Sequence, residues 1–143
     1  MRSVNRSAIV PYSAEAMFAL VADVRAYREF LPWCTESRVQ SEAADEIVAS
    51  LNVGYGAFNS EFTTRNRFVA PEWMTMQLVE GPFSSLEGRW SFDPLGDAGC
   101  EITLQIAFDF SSAVKDMLLG AAFEKICNEL IDAFIGRAHA LYA

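Results

Sequence analysis

From Ile47 to Phe110 apolar residues recur at every second position, and from Ser112 to about Leu141 they recur at helical spacing. That change of period constrains the fold more than any other feature of the chain. Strands with one apolar face must have that face covered. The last segment is the one long enough to cover it, about 45 Å of helix at 1.5 Å per residue.

Within the alternating region, Ile47, Ala49, Leu51 and Val53 share one side of a strand, and Gly54-Tyr55-Gly56 turns the chain. Phe58, Phe62 and Phe68 share a face of the next strand, with Asn59, Glu61, Thr63, Arg65 and Arg67 facing water. Met74, Met76 and Leu78 point inward after the Ala70-Pro71-Glu72 turn. Gly81-Pro82-Phe83-Ser84 reads as a loop before Leu86, Gly88, Trp90 and Phe92, and Asp93 to Gly99 reads as a hairpin loop. Ile102, Leu104, Ile106, Phe108 and Phe110 complete the series.

Upstream, residues 2–10 alternate as a first strand, Ser13 can cap a helix starting at Ala14, and Pro32 stops a second short helix around Ala26 to Leu31. In the final helix Ser112 is a candidate cap. Leu119, Phe123, Ile126, Leu130, Phe134 and Leu141 form an apolar stripe. Gly120 and Gly136 interrupt it, implying a close backbone approach or room left for something else. The expected fold is α+β: a curved antiparallel sheet of six to seven strands wrapped around one long C-terminal helix, two short helices after the first strand, and a single domain over 1–143.

One helix across a curled sheet leaves a concave volume to be filled by large side chains or by a ligand. Aromatics make up 13% of the chain, including 11 Phe, so both fillings remain open on pattern alone. The net charge of -8 disfavours general adhesion to DNA or anionic lipid. Cys34, Cys100 and Cys127 have no metal-ligand or disulfide spacing, and they read as small apolar residues in a reducing compartment. Met1 to Arg6 lacks the apolar core of a secretory signal, so the expected location is cytoplasmic. His139 falls in the last turns of the helix, as a capping or surface group rather than a base.

Three stretches carry a family likeness. Tyr12 to Phe18 with Val21-Ala22-Asp23-Val24, then Tyr27 and Phe30-Leu31-Pro32-Trp33-Cys34, form the first. Glu80-Gly81-Pro82-Phe83 with Leu86 to Trp90 forms the second, and Phe134, Arg137-Ala138 and Leu141-Tyr142 the third. Together they resemble the coenzyme Q-binding START-domain family, which also includes bacterial ribosome-association toxins, within the START-like, polyketide cyclase-like superfamily.

The resemblance implies a helix-grip fold and a non-catalytic carrier of ubiquinone or another isoprenoid lipid, supporting respiratory electron transport. No cofactor is then required, and ubiquinone is the bound ligand. The lipid channel is expected at Phe62, Met76, Leu78, Trp90, Phe108, Leu119, Phe123 and Leu130. Phe30, Leu31, Pro32 and Trp33, with Gly81, Pro82 and Phe83, are its expected rim or gate. Transient contact with the inner face of the plasma membrane would follow.

The alternative is a toxin that binds the large ribosomal subunit and blocks subunit joining, with Arg38, Arg65, Arg67 and Arg89 as candidate contacts, although Glu61 and Glu87 are interleaved with them. A polyketide cyclase-like enzyme is the third reading. It is weakened by the scarcity of ionisable residues on the inward faces.

Overall fold

The computed structural model describes residues 1–56 and 58–142. After β1 (Arg2–Val10), α1 (Ala14–Ala22) is capped by Ser13, whose side chain accepts from Ala16 N at 3.1 Å. A 3-10 turn at Val24–Ala26 leads into α2 (Tyr27–Phe30). Six strands follow: β2 (Cys34–Glu42), β3 (Glu46–Tyr55), β4 (Phe58–Val69), β5 (Trp73–Glu80), β6 (Phe83–Pro94) and β7 (Cys100–Phe110). α3 (Ala113–Tyr142) closes the chain, with Ser112 accepting from Lys115 N at 3.1 Å. The strands form one antiparallel sheet in the order β1-β7-β6-β5-β4-β3-β2. This is the helix-grip arrangement expected, with seven strands.

Several local readings need correction; Gly54 and Tyr55, read as turn, end β3, and Asp93 and Pro94, read as hairpin loop, end β6. β2 escaped notice because its inner positions beyond Cys34 carry little apolar character, so it has no clear period of two. Phe83 and Ser84, read as loop, already belong to β6. Thr63, assigned to water, is only 4% exposed: its hydroxyl lies 2.6 Å from Ser50 Oγ, which accepts from Gln40 Nε2, a polar chain across the outer faces of β2 to β4. Leu141 is exposed, and the buried line of α3 runs through Phe123, Cys127, Ile131, Phe134 and Ala138, a spacing that follows 3.6 residues per turn more closely.

β1 fastens α3 to the sheet. Arg2 Nε sits 2.9 Å from Asp116 Oδ1 and its Nη1 3.2 Å from Glu124 Oε1, while Arg6 Nη1 donates to the Asn128 carbonyl at 2.5 Å. Gly120 allows this: a Cβ there would stand 2.2 Å from Arg2 Nε. Gly136 is the opposite case, with open space where its Cβ would be.

Between sheet and helix the core divides. Phe58, Phe83, Phe108, Phe110 and Phe123 pack ring against ring, with centroids of Phe83 and Phe108 each 4.8 Å from that of Phe123. At the other end Phe18 of α1 meets Phe68 and Phe92 edge-on.

Candidate functional site

The space left between these aromatic groups is a cavity of about 90 Å³. Its floor is the inner face of β3 to β7, its roof α3 from Phe123 to Phe134, and one wall the 24–33 segment. Small residues create it. Ala49 and Gly88 lie on the floor, and Gly88 pairs across to Met76 on one side and Ile106 on the other. A Cβ on Gly88 would come 2.6 Å from Met76 Cε, so the methionine's flexible end covers the glycine.

Among the described residues lining it, none carries a side chain charged at neutral pH. Tyr27 donates its hydroxyl to the Val21 carbonyl, and burial pushes its ionisation up. Burial does the same to the Cys127 thiol. Both remain neutral, and the cavity offers a substrate no poised acid or base. The polar groups facing it include Thr64 and Asn66, adjacent on the inner face of β4, with Thr64 Oγ1 donating to Asn66 Oδ1 at 2.8 Å.

Of the expected channel residues, Phe62, Met76, Trp90, Phe123 and Leu130 line this cavity, and Leu78, Phe108 and Leu119 stand outside it. Phe108 belongs to the solid aromatic cluster, and Leu78 and Leu119 pack at the periphery of the core. Of the expected rim, Leu31 and Trp33 line the cavity. Phe30, Pro32 and Trp33 also border an outer groove of about 470 Å³ beside Gly136 and Arg137 of α3, so Trp33 is common to both. The Gly81-Pro82-Phe83 segment lies elsewhere. Phe83 is buried in the aromatic cluster, and Gly81 presses against Phe62, where a Cβ would fall 2.7 Å from that residue's own Cβ.

Thr64 and Asn66 were missed, although their spacing from Phe62 and Phe68 puts them on the inward face. A polar residue in phase with buried aromatics was the available signal.

The four arginines share the outer face of the sheet. Arg67 of β4 pairs with Thr75 of β5, and Thr75 with Arg89 of β6, giving one row across three strands. Carboxylates accompany most of them: Arg38 lies 2.7 Å from Glu61, and Arg65 and Arg67 share Glu46 at 3.3 and 3.0 Å. Arg89 stacks over Trp73, 5.0 Å from its centroid. His139 is exposed, its Nδ1 2.5 Å from the Tyr12 hydroxyl.

A long helix over a seven-stranded sheet with an apolar interior can be compared with known proteins. Residues 10–135 match the family described as polyketide cyclase / dehydrase and lipid transport. The chain belongs to this family. A relative from Pseudomonas aeruginosa, named ribosome association toxin RatA, is 43% identical over 139 residues, covering 97% of this chain and 96% of that one. The mitochondrial coenzyme Q-binding protein COQ10 of Drosophila melanogaster is 30% identical over 138 residues, covering 94% of this chain and 57% of that longer protein. Among solved structures, the Zhui aromatase/cyclase from Streptomyces sp. R1128 superposes with a TM-score of 0.85 at 19% identity, covering 96% of this chain and 93% of that one. A START superfamily protein from Mycobacterium smegmatis does so with a TM-score of 0.83 at 21% identity, covering 97% and 98%. At such identities the likeness to these two structures is one of fold. Of the two relatives matched in sequence above, one is named as a toxin and the other as a binding protein.

Proposed function

We propose that this family member is a non-catalytic carrier of an uncharged apolar molecule of the ubiquinone or isoprenoid-lipid class, supporting respiratory electron transport. The observation that carries this reading is the cavity under α3, with no ionised side chain among the described residues that line it and with Trp33 between it and an outer groove. Ligand pockets usually span roughly 300–1,000 Å³, so the resting cavity of about 90 Å³ must enlarge on loading. Met76 over Gly88, Leu130 and Trp33 are the side chains placed to move. The coenzyme Q-binding name of the Drosophila relative supports the ligand class. Action in the cytoplasm, with transient contact at the inner membrane for loading, fits it. Among the described residues no helix is long and apolar enough to cross a membrane. The test is mass spectrometry of lipids co-purifying with the protein from bacteria. A quinone or other isoprenoid lipid is expected, and a lipid-free protein that takes up no added quinone would refute the reading.

A second reading, association with the large ribosomal subunit to block subunit joining, is favoured by the toxin name of the 43%-identical relative. The Arg67–Thr75–Arg89 row offers a surface for it on the side of the sheet facing away from the cavity. The two activities use opposite faces and can coexist. Overexpression should lower the proportion of joined ribosomes on sucrose gradients, and Arg67→Glu/Arg89→Glu should restore it. An unchanged profile with the parent protein removes this reading.

A further inference from the structure

Resting on the cavity-binding reading above, we infer that the Thr64–Asn66 pair recognises the ligand, and that the buried end of the ligand is uncharged and bears a carbonyl or hydroxyl oxygen.

Asn66 is 5% exposed and sits on β4 between Ile47 of β3 and Met76 of β5, with Thr64 two residues away on the same face. Its Oδ1 already accepts from Thr64 Oγ1 at 2.8 Å. Its Nδ2 has no acceptor among the described residues and is not sealed from open space, and the open space that Asn66 lines is the cavity. The Thr64 hydroxyl, having given its proton to Asn66, keeps free lone pairs. The pair therefore presents the amide NH2 as donor beside a hydroxyl acceptor. A carbonyl oxygen satisfies the donor, and a hydroxyl can satisfy both.

Charge is selected against on the same surface. Among the described residues no lysine, arginine or histidine lines the cavity to neutralise a carboxylate or phosphate, and no acid lines it to meet an amine. An unpaired ion there would lose its hydration without replacement. Fatty acids, phosphorylated lipids and amines are disfavoured inside. Quinones, quinols and isoprenoid alcohols fit.

The experiment is titration of the full chain monitored by tryptophan fluorescence, since Trp33 and Trp90 line the cavity. The probes are a short-chain ubiquinone, an oxygen-free isoprenoid hydrocarbon and oleate at pH 8. The parent protein should bind the quinone saturably and ignore oleate. Thr64→Val/Asn66→Leu should weaken quinone binding on the order of tenfold while leaving the hydrocarbon unaffected or tighter. Replacing both members of a hydrogen-bonded pair by apolar groups of similar shape preserves folding, which a thermal melt confirms. If the double variant does not fold, Thr64→Val alone should weaken the quinol more than the quinone. Undiminished quinone binding by the double variant, equal loss for quinone and quinol in the single variant, or a preference of the parent for oleate overturns the assignment while the cavity reading stands. A parent protein that binds neither quinone nor hydrocarbon overturns both.

Discussion

Under the start of α3 the interior is solid, and a few turns further along it is open. In the solid region five phenylalanines from β4, β6, β7 and α3 fill the space between sheet and helix. In the open region β3, β4 and β6 present Ala49, Thr64, Asn66 and Gly88 beneath the same helix. Phe123 belongs to both and marks the boundary. The curvature of the sheet is common to the two regions, so the fold alone does not make a cavity. Residue size at a few positions in register does.

The largest expected effect lies in the solid region. Phe108 is fully buried, and Phe108→Ala should cost about 3–5 kcal/mol in chemical denaturation, because packed rings leave a void that neighbours cannot fill. Leu130→Ala, at a half-buried position already bordering space, should cost less than about 2 kcal/mol. Equal costs would erase the distinction between the regions.

Alkaline pH gives the next largest effect. The Cys127 thiol is raised above its ordinary value of 9.0 by burial beside the cavity. The unfolded chain therefore loses this proton first, and above pH 9 the folded state binds more protons than the unfolded one. Stability should be intact below that point and fall as pH rises, by at most about 1.4 kcal/mol per pH unit for this group. Tyr27, raised from 10.0 for the same reason, adds to the slope from pH 10. Cys34 and Cys100, raised by burial from the same ordinary value, share the part of the slope that begins near pH 9, so Cys127→Ala should lessen it in urea melts taken across the range. A slope unchanged by this substitution would show that the thiol is not shielded as the cavity geometry requires.

Gly88→Ala probes the open region directly. The new methyl displaces the end of Met76 into the cavity, so stability should change by about 1 kcal/mol or less while quinone affinity falls. Smallest of all, Arg38→Ala removes an exposed ion pair with Glu61 and should shift stability by no more than about 0.5 kcal/mol in the same denaturation assay.

The architecture was legible in the sequence because alternation from Ile47 to Phe110 and helical spacing after Ser112 each reflect one buried face. β2 was not, since its inner face faces little core. The cavity was only half legible. Phe62, Met76, Trp90, Phe123 and Leu130 could be placed inward from their period. What separates them from Phe108, Leu78 and Leu119 is which residues lie opposite on neighbouring strands, and register across a sheet is absent from a one-dimensional pattern. Gly88 is a cavity residue because it stands between Met76 and Ile106. Gly120 has another purpose, since it admits Arg2.

The most direct test of the open region uses the chain's five methionines as internal reporters. With ¹³C-labelled methyl groups, saturating short-chain ubiquinone should shift the Met76 resonance strongly. Met17, buried away from the cavity lining, and Met117, exposed on α3, should stay in place. A Met76 signal that does not move at saturation, or movement confined to Met117, would mean that the space beneath α3 takes up no ligand.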